Sequence, residues 1–95
     1  MMTAIEMQKL TKNAKQAQAE QALQTAKEWI ENIAMPSMNQ EAIQGFYHWI
    51  VKDFPISSNK EMQEQICQYA ANKLDSNGYR FDTDEKGTKI LAIFW

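Results

Sequence analysis

The stretch Tyr79-Arg80-Phe81-Asp82-Thr83-Asp84-Glu85-Lys86-Gly87-Thr88-Lys89-Ile90-Leu91-Ala92-Ile93-Phe94-Trp95 decides the fold. Its first five residues alternate, with Tyr79 and Phe81 facing inward. Asp84-Glu85-Lys86-Gly87 reads as a hairpin loop with Gly87 at the positive-φ position. Thr88 to Trp95 is the return strand, with Ile90, Ala92 and Phe94 on one face and Leu91, Ile93 and Trp95 on the other. That strand is apolar on both faces. A single hairpin laid on a helical layer would leave half of it wet, so a second cover is expected: the first helix, another subunit or a partner.

Upstream the periodicity is helical. Residues 3–34 hold no Gly or Pro and are rich in Ala, Gln, Lys and Glu, all good helix formers. Met7, Leu10, Ala14 and Ala17 form one stripe, and Ala19, Leu23, Ala26, Ile30 and Ile33 form another, greasier one. The two are out of phase, so residues 1–19 read as a helical N-terminal arm that either projects or frays, and residues 20–95 as one small domain. Pro36 is expected to end this helix. Ser37-Met38-Asn39-Gln40 fits a capping box for a second helix running to about Lys52, with Ile43, Phe46, Tyr47, Ile50 and Phe54 as its stripe and Gly45 inside it. Ser58-Asn59-Lys60-Glu61 fits a capping box for a third, carrying Met62, Ile66, Tyr69, Ala70 and Leu74, and Gly78 stops it. The expected fold is α+β: three helices, the first one long, followed by a C-terminal two-stranded antiparallel β-hairpin.

Composition narrows the function classes. The 95 residues carry 10 Lys plus Arg against 12 Asp plus Glu, a formal net charge of −2. Residues 1–19 hold Lys9, Lys12 and Lys15 against Glu6, a local +2, and the remainder holds a local −4. Arg80 is the single arginine. An acidic, arginine-poor body disfavours nucleic acid as a partner. One cysteine forbids an internal disulfide, and one histidine forbids a His-rich metal centre. There is no apolar run of the ~18 residues a membrane span needs and no signal-peptide pattern, so a cytoplasmic location is expected.

No catalytic constellation emerges, and the chain reads as a non-enzyme needing no cofactor or metal. Cys67 sits mid-helix with nothing around it to build a nucleophile, and reads as a small core residue. His48, between Tyr47 and Trp49, reads as a surface or aromatic-stacking residue. Asp82, Asp84 and Glu85 lack the spacing of an EF-hand loop and read as a solvated, turn-forming cluster.

The order of helices and hairpin resembles a winged-helix domain over residues 21–95, in architecture only. That resemblance implies a DNA-binding regulator using Lys60, Lys73, Lys86 and Lys89. Glu61, Glu64, Asp75 and the acidic hairpin tip oppose it. The favoured expectation is a protein-binding module, acting as an inhibitor or adaptor on a partner with a basic surface. In size and acidity the chain is similar to small phage accessory proteins such as anti-CRISPR inhibitors, and to toxin-neutralising immunity proteins. The expected contacts are Tyr47, Trp49 and Trp95 as anchors, with Glu61, Glu64, Asp82, Asp84 and Glu85 as acidic contacts. A self-assembling homodimer, joined through the N-terminal helix or the last strand, is the remaining alternative.

Overall fold

Thr3 opens the first helix by accepting a hydrogen bond from the Glu6 amide at 3.2 Å. In the computed structural model, which describes all of residues 1–95, helix α1 spans Ala4–Trp29. It passes without a break into a π turn, Ile30–Ala34, and then into helix α2, Met35–Ile43. The junction residues Trp29, Ile30, Ala34 and Met35 all keep right-handed helical angles. The three segments therefore make one rod, about 60 Å long at the α-helical rise, which accounts for the longest molecular dimension of 63 Å.

Pro36 does not end the rod. It occupies the first turn of α2, just past the widened turn. There its missing N–H and its ring clash with the preceding carbonyls are tolerated. No capping box at Ser37 is needed, because no helix starts there. The buried face also differs from the expected one. Ala22, Ala26, Trp29, Ile30, Ala34 and Met38 are buried, whereas Leu23 and Ile33 are exposed. Residues 1–17 are exposed throughout, and Ala22 is the first buried position.

The rod stops at Gly45, well before Lys52. Gly45 takes φ +93°. The Phe46 amide donates to the Glu41 carbonyl and the Gly45 amide to the Ala42 carbonyl, both at 3.0 Å. This is a Schellman ending, which wants a residue without Cβ strain in the left-handed region. The following residues form strand β1, His48–Ile50, instead of continuing a helix. Helix α3, Lys60–Ser76, is capped by Asn59, one residue later than expected, through Oδ1 to the Met62 amide. Gly78 ends it in the same way as Gly45, with Tyr79 donating to Leu74 at 3.1 Å and Gly78 to Asp75 at 3.0 Å.

Strands β2, Arg80–Thr83, and β3, Ile90–Phe94, form the expected hairpin. The sheet, however, has three antiparallel strands in the order β1-β3-β2. The strand that reads as two-faced is thus the central one. The winged-helix order fails at the same point, since a strand and an irregular stretch stand where the second helix was expected. Register places Trp49, Ile93 and Phe81 on the inner face, and His48, Phe94 and Arg80, then Ile50, Ala92 and Asp82, on the outer. Simple alternation fails at Leu91, which has no partner between the pairs Asp82–Ala92 and Thr83–Ile90. This bulge turns Ile90 to the same core as Ile93 and leaves Leu91 exposed.

The core joins the rod, α3 and the inner sheet face. Trp29 lies at its centre. It meets Phe54 edge-on at 4.8 Å and stacks on Trp49 at 6.2 Å, while its Nε1 donates to the Asp53 carbonyl at 3.0 Å. Gln63 is the one buried polar residue. Its Nε2 donates to the carbonyls of Pro55 at 2.9 Å and Thr88 at 2.8 Å, and its Oε1 accepts from the Ser57 amide at 2.6 Å. One side chain thereby ties α3 to the loop before it and to the hairpin. Gln63→Leu would orphan three backbone groups, and we expect it to lower unfolding free energy by about 2–4 kcal/mol in urea titrations.

Candidate interaction surface

The outer sheet face carries a small aromatic and apolar cluster beside the exposed Phe46 and Ile50. Phe46 sits edge-on to His48, with ring centroids 6.1 Å apart. His48 stacks on Phe94 at 6.1 Å and 29°. Ile50 is 54% and Phe46 48% exposed, and Tyr47, just before β1, is 75% exposed. The outer face of a half-covered antiparallel sheet is ordinarily polar. Here only Arg80 and Asp82, on the β2 side, supply charge.

The structure scatters the residues expected to act together. Tyr47 is exposed as a docking anchor requires. Trp49 and Trp95 are not free anchors: both are half-buried and pack against the core. In β1 the parity decides this, since Trp49 points inward between the outward His48 and Ile50. Glu61 and Glu64 lie on the exposed side of α3, on a different element from the outer face. Of the acidic set only Asp82 shares that face, and Glu85 is exposed at the hairpin tip.

Asp84 turns inward on its own loop and is no free contact. Its Oδ1 accepts from the amides of Thr88 at 2.7 Å and Lys89 at 3.2 Å, and its Oδ2 from the Thr88 hydroxyl at 2.5 Å. The lysines of the DNA-binding alternative are also dispersed. Lys60 and Lys73, near opposite ends of α3, are about 20 Å apart along the helix axis, while Lys86 and Lys89 sit on the hairpin.

Sequence reasoning missed Phe46, Ile50 and Phe94 as surface residues. The signal was available: Phe46 to Val51 is an unbroken aromatic and β-branched run between Gly45 and Pro55, which favours a strand over a helix. Cys67 lies inside, 2% exposed, as a small core residue. Burial, reinforced by the negative charge of Asp84, pushes its thiol up to about 11.

No group of three or more acidic, His or Cys side chains is placed to hold a metal ion, and no helix is long and apolar enough to cross a membrane. Comparisons with protein-family models, curated proteins and solved structures gave no match.

Hydrogen bonds from Thr88 and then Lys89 hold the Asp84 carboxyl below its ordinary value of 3.8. A depressed folded value stabilises the protein above the unfolded value, and that contribution disappears as pH falls through the folded one. Asp84→Asn should therefore melt lower than wild type at pH 7. The gap should narrow below pH 3.8 in scanning calorimetry across an acid series. Cys67 should react with a thiol reagent such as dithionitrobenzoate only as fast as the protein opens, so that mild urea accelerates labelling in step with unfolding.

Proposed function

We propose that this chain is a non-enzymatic protein-binding module, an inhibitor or adaptor, that docks a partner on its outer sheet face. The observation that carries the reading is the continuous Phe46–His48–Phe94 aromatic contact, with Ile50 in the adjacent row, on the uncovered side of the sheet. Exposed contiguous apolar surface of this kind marks interaction sites, and aromatic residues supply most of the binding energy in them. The acidic body, net −4 over residues 20–95, favours encounter with a basic partner by long-range steering, without each carboxylate touching it. In this reading the aromatics anchor, and the dispersed acids set the field.

The test is affinity capture with the intact chain as bait, comparing wild type with a Phe46→Ala/Ile50→Glu double variant. Both positions are about half exposed, so the variant should fold. A protein partner held by wild type should be lost by roughly 30-fold or more, the effect of removing about 2 kcal/mol of hot-spot energy. Recovery of nucleic acid alone, or of the same protein by both baits, would overturn the reading. A second copy is the competing occupant, and it would appear as concentration-dependent mass in light scattering.

A further inference from the structure

Charge is segregated around α1 in a way the net count conceals. At 100° per residue, Lys9, Lys12, Lys15 and Lys27 all fall within about 120° of the helix circumference. Leu23, Ala26 and Ile30 fall in the same sector, whereas Glu6, Glu20 and Glu28 cluster outside it within about 80°. The lysine side of α1 also meets a groove. Leu23, Ala26 and Ile30 from the rod and Tyr69 from α3 line a cleft of about 310 Å³, with Lys27 and Lys73 contributed by the two helices and Glu31 the one carboxylate along its wall. Leu23 is 52% exposed there. A groove between two helices offers a slot for a third. Its floor is apolar and its lysines outnumber its single carboxylate, although the body as a whole is acidic.

We infer that the groove between α1 and α3 is a second docking site, and that it takes an amphipathic helix of a partner protein with an apolar stripe flanked by Asp or Glu. The apolar stripe covers the exposed Leu23 and the half-buried Tyr69, with the buried Ala26 and Ile30 forming the floor beneath them. Its carboxylates meet Lys27 and Lys73. A longer helix running on along the exposed α1 would meet Lys15, Lys12 and Lys9 in turn. The apolar floor favours such a helix over duplex nucleic acid, whose backbone has nothing to place against Leu23 and Tyr69. This site is separate from the outer sheet face. An occupant here makes the chain a bridge between two proteins.

The test uses a synthetic fluorescein-labelled helical peptide with Leu at i, i+3, i+4 and i+7 and Glu at the flanking positions. Two controls accompany it: the same peptide with Lys for every Glu, and a 20-base-pair duplex. The full-length protein should bind the acidic peptide, with amide shifts in NMR spectra confined to the groove residues. Lys27→Glu/Lys73→Glu should weaken binding at least ten-fold, and Leu23→Asp should do so independently. All three positions are exposed, and retention of the wild-type melting temperature checks the fold. Phe46→Ala/Ile50→Glu should leave the affinity unchanged, which keeps failure here distinct from failure at the sheet face. Absence of peptide binding, equal binding of the Lys peptide, tighter binding of the duplex, or shifts on the sheet face would each overturn the inference.

Discussion

Everything in this molecule is hung on one seam of small residues. Ala22, Ala26 and Ala34 of the rod and Ala70 of α3 are all at most 2% exposed. Alanine is the small side chain that permits close approach of α1 and α3 where they pack. Ile66 and Leu74 then fill the space to either side. The seam repeats every four residues, at Ala22, Ala26, Ile30, Ala34 and Met38. Four such steps would carry the last position about 160° around an ideal α-helix. The π turn at Ile30–Ala34 absorbs one residue, worth about 100°, and returns Met38 to the body. Without it α2 would turn its apolar side away, and the sheet would lose the wall against which Tyr79 and Trp95 rest.

This phase device explains which parts of the fold were legible. The greasy stripe Ala19, Leu23, Ala26, Ile30 and Ile33 follows an ideal α-helical period, but the chain buries a four-residue repeat. A π turn has no local composition signal, so Ile33 is read inside and is found outside, while Leu23, ahead of that turn, is displaced because Ala22, Ala26 and Trp29 form the buried face of α1. Pro36 misleads for the same reason, since the rule that proline ends a helix assumes a regular turn before it. The existence of the hairpin and of α3 is read correctly because their signals are chemical: Gly78 and Gly87 at positive φ and Asn or Ser before the helix. The faces of the last strand are not, because the bulge at Leu91 breaks the alternation. Residues 46–51 fail because apolar residues in an unbroken run satisfy both periods. Gly45 decides the matter. Read as a helix interior it is a cost, whereas read as a terminator it releases the chain after it to form β1 at His48–Ile50.

The candidate surface follows from that one correction. Making residues 48–50 a strand converts a helix apolar around its girth into two faces with opposite fates. Trp49 goes in to stack on Trp29, and His48 and Ile50 go out beside Phe94 and Ala92. Residue type alone nominates Trp49 and Trp95 as anchors. Parity turns Trp49 inward and leaves its smaller neighbours His48 and Ile50 outside. The single bulge at Leu91 works the same way, drawing Ile90 and Ile93 to one side although simple alternation separates them.

The near-neutral charge of −2 is the sum of two opposed patterns whose separation depends on the rod. Lysines fill one side of α1 and glutamates another, and half of the acidic residues ride on α3 and the hairpin. A short helix could not keep such patterns apart, because charges within a Debye length of about 8 Å average out. A rod of about 60 Å can, since its exposed N-terminal half carries Lys9, Lys12 and Lys15 several Debye lengths from the hairpin tip. The outer sheet face is built from the three strands and the groove from the rod and α3, so the two surfaces share no lining residue.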